Sequence, residues 1–135
     1  YDYRHSILKG REDKRFLVLL ATFRLTPDDP IAIKNRMDAN IAKRKQTQPP
    51  GASLGSIFKN PPNDYAGRLI EATGLKGYRI GNAMVSPVHA NFFINEGGDA
   101  TATDYYALIC HVKNAVYEAH GVMLQMEVEL LGEWD

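Results

Sequence analysis

Apolar residues recur along the chain at two spacings, and each spacing predicts an element. From Arg15 to Leu25 the run RFLVLLATFRL is apolar at nearly every position and rich in strand formers. It predicts a strand covered on both faces. The pair Thr26-Pro27 then reads as a helix start: Thr26 caps, Pro27 suits the first turn, and Asp28 and Asp29 favour the positive end of the dipole. Ile33, Met37 and Ile41 recur every fourth residue as one stripe, and Lys43, Arg44 and Lys45 close the helix. Residues 46–55, QTQPPGASLG, show no period and predict a loop.

Ser56 to Phe58 read as a short strand stopped by Pro61-Pro62. A second helix, capped by Asn63 or Asp64, runs to about Thr73 with Leu69, Ile70 and Ala72 inward and Gly74 at its end. Short β pieces follow at Tyr78–Ile80, Ala83–Val85 and Asn91–Ile94. A third helix starts near Thr101, with Asp104 as its capping-box partner and Gly121 at its close. Tyr105, Leu108, Ile109, Val112, Val116 and Ala119 form its predicted inner stripe. The last segment alternates: Val122, Leu124, Met126, Val128 and Leu130 against Met123, Gln125, Glu127 and Glu129, which predicts a strand with one core face. The fold class expected is α+β, a mixed sheet with about three packed helices.

Composition narrows this picture. With 135 residues the chain is one domain or part of one. Apolar residues make up 44% and charged residues 24%, ordinary globular values. The 16 Lys+Arg balance the 16 Asp+Glu, which argues against a general nucleic-acid or membrane-surface binder. No apolar run approaches the roughly 18 residues of a membrane helix. A single cysteine, Cys110, leaves no internal disulfide and no Cys-based zinc cage, and fits a reducing cytosol. The chain opens at Tyr1 without a signal peptide, so the parent polypeptide is expected to continue upstream.

Taken residue by residue, the candidate chemistry is open. Glu127 and Glu129 would share a strand face about 7 Å apart. They read either as a pair raising one another's pKa or as a solvated strand face. Lys43 to Lys45 could grip a phosphate or complement a helix end. The loop PPGASLGS lacks the Gly-Lys-Ser/Thr ending of a phosphate loop, and no GxGxxG follows a strand. His5, His89, His111 and His120 are scattered, so no metal site is expected; His111 and Cys110 read as structural. Ser56 has no neighbouring histidine to activate it as a nucleophile. GSIFKNPP, with Ser, Lys and Asn converging at a strand end, is a candidate ligand site of unstated ligand.

The strings GSIFKNP, AGRLIEATGLKGYRIGNAMVSPVHANFFIN and LQMEVELLGEW, with YDYRHSILK at the start, resemble the UDP-N-acetylenolpyruvoylglucosamine reductase (MurB) family over most of the chain. The resemblance implies a flavoenzyme of peptidoglycan precursor synthesis. NADPH is its reductant, FAD its cofactor and UDP-N-acetylglucosamine enolpyruvate its substrate. Ser56 matches the serine that protonates the carbanionic carbon left by hydride addition. Arg4 matches the arginine holding the substrate carboxylate, and Glu127 the acid on the other side of that group. Glu129 stays a solvated neighbour. Asn60 matches a residue near the diphosphate. Lys76 and the Lys43–Lys45 cluster, Lys45 among them, are implied phosphate contacts. His89 falls at a substrate-facing position, and Tyr3 helps build the floor.

By the same resemblance, residues 1–25 are the tail of an upstream FAD-binding domain and 26–135 the substrate-binding domain. The chain alone is then expected to bind little FAD and to turn nothing over. Leu25 to Gln48 has no equivalent of a tyrosine-bearing lid, which places the chain with the subgroup lacking it. A cytoplasmic bacterial monomer is expected, with no nucleic-acid or membrane partner. Two other classes are weighed: a UDP-sugar binding module without redox chemistry, and a phosphate- or RNA-binding module using the basic helix end. A pure binder needs no proton donor, so Arg4, Ser56 and Glu127 together favour the enzyme.

Overall fold

The computed structural model describes Tyr3, Arg4, Ser6, Leu8 and residues 17–133. The chain divides into two compact units, Tyr1–Asp38 and Ala39–Asp135.

In the first unit, residues 17–25 form neither helix nor strand. Leu17, Leu19, Leu20, Phe23 and Leu25 are each about 80% exposed or more. This corrects the strand predicted over 15–25, of which Arg15 and Phe16 lie outside the described residues. A strand exists only through hydrogen bonds to a neighbour, and among the described residues none pairs with this run. Helix α1, Pro30–Thr47, begins here and ends in the second unit. Its cap is Asp29, not Thr26: the Ala32 N–H donates to Asp29 Oδ2 at 3.0 Å, and the Ile33 N–H to the Asp29 carbonyl at 2.9 Å. Pro30, rather than Pro27, takes the first helical position, where no N–H is needed. No residue of α1 is buried, so the Ile33, Met37 and Ile41 stripe stands exposed instead of packed.

The second unit holds β1 (Ala52–Ser56), α2 (Ala66–Ala72), β2 (Arg79–Ile80), β3 (Ala83–Val85), β4 (Phe92–Asn95) and α3 (Ala102–His120). The strands pair in the order β1-β4-β3-β2, antiparallel throughout. The α+β class stands, but the sheet is not mixed. Gly81-Asn82 joins β2 to β3 as a two-residue hairpin turn, and such turns return the chain antiparallel. All of β1 but Ser56 lies in the stretch read as a loop, while of the strand read over Ser56 to Phe58 only Ser56 belongs to β1 and Phe58 makes an isolated bridge: the Gly and Ser content hides a strand that pairing with β4 creates.

Helix α3 carries the capping box read from the sequence. Thr101 Oγ1 accepts from the Asp104 N–H at 3.1 Å, Asp104 Oδ2 accepts from the Thr101 N–H at 3.0 Å, and Gly121 closes the helix at φ 69°. Leu108, Ile109, Val112 and Val116 are buried; Ala119 is exposed, as is Ala72 on α2. They meet Leu69 and Ile70 of α2 and Val85 and Phe93 of the sheet in one core that also holds Ile57, Phe58 and Leu124. The last segment forms no strand. Its alternation holds around Leu124, buried between exposed Met123 and Gln125, and lapses where Met126, Glu127 and Val128 are all half-buried; it makes a single bridge, Phe58 to Met126.

Candidate active site

Ser56 sits where β1 ends, and the backbone before it explains its aim. Ser53 pairs with Ile94 but Ser56 pairs with Phe92, so β1 spends one residue more than β4 over this stretch. Gly55, at φ 78°, absorbs the bulge in a conformation that costs other residues about 1 kcal/mol or more. A bulge bends the strand and re-aims the next side chain. Gly55 has open space around the position of a Cβ, so the backbone beside Ser56 can be approached closely.

Beyond Ser56, the chain is held on both sides. The Ile57 N–H donates to the Asn91 carbonyl at 2.9 Å, and the Ile57 carbonyl accepts from the Glu127 N–H at 2.8 Å. Lys59 N–H donates to the Gln125 carbonyl at 2.9 Å. Ser56 and Glu127, far apart in sequence, thus lie on directly hydrogen-bonded segments. Both are half-buried, and Glu127 Oε2 is buried outright. Glu129 is exposed, as a solvated neighbour would be.

Asn60 Oδ1 accepts from the Ala66 N–H at 3.1 Å, so this side chain caps α2 from the GSIFKNP segment. Asp64 lies one residue before the N-cap Tyr65 and pairs with Arg68; the guanidinium and the Tyr65 N–H hold its carboxyl down at about 2. His89 Nδ1 accepts from the Asn91 N–H at 3.2 Å, and its ring meets Phe92 edge-on at 4.9 Å. Lys76 is ion-paired with Glu71 at 2.7 Å. Lys45 lines a shallow groove with Arg44, Gln48, Pro49 and Pro50. Tyr3 and Arg4 belong to the first unit: both are exposed, the guanidinium carbon lies 5.4 Å from the Tyr3 ring centroid, and Arg4 has φ 56°. His111 is stacked on Tyr78 at 4.4 Å, a structural contact as expected, whereas Cys110 is half-buried rather than buried. His5 lies outside the described residues.

The sequence reading missed Asn91. It is 3% exposed, and its side chain accepts from the Phe58 N–H at 3.0 Å and donates to the Phe58 carbonyl at 2.8 Å. No local pattern announces a side chain that bonds to backbone so far away in the chain. A cavity of about 420 Å³ lies nearby, between Ser53 and Leu54 of β1, Tyr105, Tyr106 and Ile109 of α3, and Val128 to Leu131. Burial raises the pKa of Tyr105, whose hydroxyl donates to the Phe93 carbonyl at 3.2 Å. Among the described residues no cluster of His, Cys, Asp and Glu could hold a metal ion, and no helix is long and apolar enough to cross a membrane.

An antiparallel sheet backed by two helices, with a serine and a carboxylate on hydrogen-bonded segments at its edge, is the frame. The family described as UDP-N-acetylenolpyruvoylglucosamine reductase, C-terminal domain, matches residues 28–131. A protein of that reductase name from Chloroflexus aggregans is 50% identical over 97% of this chain and 44% of its own length. One from Moorella thermoacetica is 47% identical over 98% of this chain and 43% of its own. The crystal structure of the reductase (MurB) from Thermus caldophilus superposes with a TM-score of 0.68 at 40% identity, covering 78% of this chain and 37% of that one. The chain belongs to the UDP-N-acetylenolpyruvoylglucosamine reductase C-terminal domain family. It spans less than half the length of these curated relatives.

Proposed function

We propose that this chain is the substrate-binding part of a bacterial, cytoplasmic and monomeric enzyme that reduces UDP-N-acetylglucosamine enolpyruvate to UDP-N-acetylmuramate with NADPH. In this reading residues 1–25 are the tail of an FAD-binding domain and 26–135 the substrate domain. The observation that carries it is the junction of Ser56 and Glu127, on segments joined by the 2.8 Å bond between the Glu127 N–H and the Ile57 carbonyl, in a chain of this family.

The described residues fit FAD as one wall rather than a whole site. The open space over Gly55 suits close approach of a flat ring, and the remaining contacts are assigned to the part of the longer relatives that this chain does not cover. FAD, when bound, supplies the hydride for the double bond. This chain's residues bind the substrate, stabilise its charge and deliver the proton. Arg4 binds the substrate carboxylate, onto which the negative charge spreads as the hydride adds, and a guanidinium held there stabilises that charge. Glu127 serves best protonated, donating a hydrogen bond to the same carboxylate. Ser56 Oγ gives its proton to the adjacent carbon and regains one from solvent through a polar relay. Each double bond takes one hydride and one proton, whose arrival completes the new C–H bonds.

Lys45, beside its groove, is the lysine assigned to the diphosphate, since Lys76 would first have to leave Glu71. Asn60 has its oxygen committed to α2, which leaves Nδ2 for the phosphates. His89 and Tyr3 complete the substrate surface. In the full-length protein, Ser56→Ala should lower product formation by about 10²–10⁴. Reduction of the flavin by NADPH, followed by absorbance in the same experiment, should be unaffected. Ser56→Ala with product formation intact would sink the assignment. Calorimetric titration with the enolpyruvyl ether should show weaker binding after Arg4→Ala, with plain UDP little changed.

A further inference from the structure

We infer that Asn91 is a positioning residue that holds Ser56 in register for proton delivery; this rests on the assignment of Ser56 made above. Pairing between β1 and β4 ends at Ser56 and Phe92. Two residues further on, Phe58 is 1% exposed, and among the described residues its peptide groups face no strand on that side. The Asn91 amide takes the place of one. Its oxygen accepts from the Phe58 N–H at 3.0 Å and its nitrogen donates to the Phe58 carbonyl at 2.8 Å, while the Asn91 carbonyl accepts from Ile57 at 2.9 Å. A primary amide is the side chain that offers both a donor and an acceptor in the plane of a peptide group.

The two residues immediately after Ser56 are therefore fixed by one side chain and one carbonyl of a single residue, and buried hydrogen bonds of this kind are costly to leave unmade. Asn91 is itself held. Its N–H donates to His89 Nδ1 at 3.2 Å, and Gly67 of α2 approaches so closely that a Cβ there would lie 3.7 Å from Asn91 Cβ and 3.2 Å from the His89 ring. The bulge at Gly55 sets the aim of Ser56 from one side, and the Asn91 amide pins it from the other. A serine is a weak acid, so its rate contribution depends on placement, and a displacement of about 1 Å can cost 10²-fold.

The test uses the full-length protein with Asn91→Leu, which keeps the branched heavy-atom outline and removes the amide. Product formation should fall about 10- to 100-fold. Flavin reduction by NADPH and the KM for the enolpyruvyl substrate should change no more than about threefold, because neither depends on where the Ser56 hydroxyl points. The protonated carbon is a stereocentre, so a displaced Ser56 that lets water compete should also raise the epimeric lactyl product, read by NMR. Equal losses in flavin reduction and product formation would make Asn91 merely structural and overturn the inference. Unchanged product formation would do the same. If Asn91→Leu does not fold, Asn91→Asp decides. A protonated carboxyl again offers a donor and an acceptor, so its activity relative to the parent should climb as the pH falls, and a flat ratio overturns the proposal. Ser56→Ala in the same assays separates the two levels: if it leaves product formation intact the functional assignment fails, and if only Asn91→Leu is silent the inference fails alone.

Discussion

Helices α1 and α3 are nearly equal in length, 18 and 19 residues, and both carry an apolar residue at helical spacing along one face. Helix α3 buries Leu108, Ile109, Val112 and Val116, while α1 buries nothing. Their ends are equally well made: Thr101 and Asp104 cap one, Asp29 and Pro30 the other. Capping and period thus decide that a helix forms and which side is apolar. Whether that side is covered depends on surfaces elsewhere. The exposed run from Leu17 to Leu25 repeats the lesson for a strand-like sequence.

The sharpest way to break this comparison is to truncate both stripes. In the 135-residue chain, Leu108→Ala should cost about 2–5 kcal/mol by urea denaturation, the range for a fully buried leucine. Met37→Ala should stay within about 0.5 kcal/mol, as surface changes do. A loss of 2 kcal/mol or so at Met37 would show that the α1 stripe is packed after all. The next effect belongs to Gly81, which the turn into β3 places against the α3 cap. At φ 54°, with a Cβ position 2.3 Å from Asp104 Oδ1, Gly81→Ala must strain the turn or push Asp104 off Thr101, costing about 1–3 kcal/mol. Thr101→Ala removes one half of the box and should cost about 1 kcal/mol. On α1, Asp29→Ala should match it if the two caps are equivalent.

The smallest effect concerns charge. The Arg68 guanidinium and the Tyr65 N–H hold the Asp64 carboxyl at about 2, below the ordinary value of an aspartate. A depressed carboxylate stabilises the fold above its unfolded pKa and stops doing so as pH falls through the folded one. The thermal midpoint should therefore lose this contribution between about pH 4 and pH 2. Asp64→Asn should erase that part of the slope, and added salt should shrink it, since the pair is solvent-exposed. Asp28, lowered in the same direction by Arg36 before α1, should behave alike.

What could be read from the sequence was what neighbouring residues decide among themselves. The Thr101–Asp104 box, the Gly121 terminus and the strand Ala83–Val85 follow from local chemistry and were anticipated. Thr26-Pro27 and Asp29-Pro30 obey the same grammar, and the carboxylate prevailed with a side-chain bond to Ala32. Val122 to Gln125 kept the alternating burial, which ends where Met126, Glu127 and Val128 are all half-buried, and the segment lacked the neighbours that would make it a strand, so period spoke truly about part of its faces and falsely about hydrogen bonds. β1 was hidden because Gly, Ser and Ala carry no strand signal of their own. For the site, polar residues at the end of GSIFKNP suggested a ligand position, and the roles of Ser56, Arg4 and Glu127 came only through resemblance. Asn91 was invisible because its partner is a peptide group in another segment.

The extra residue in β1 makes Ser56 a matter of parity. Side chains along a strand alternate between two faces, so adding or removing a single residue exchanges the faces of everything beyond it. In β1 the bulge already absorbs one such step, so deleting Leu54 or Gly55 would leave Ser53 opposite Ile94 and Ser56 opposite Phe92 and take away only the bend that the extra residue gives the strand. Deleting both would leave one step against two on β4 and force Ser56 and Ile57 to exchange faces. Between Ser53 and Ser56 the strand can thus lose one residue and keep its register but not two, a rule about counting that no single residue in the segment reveals.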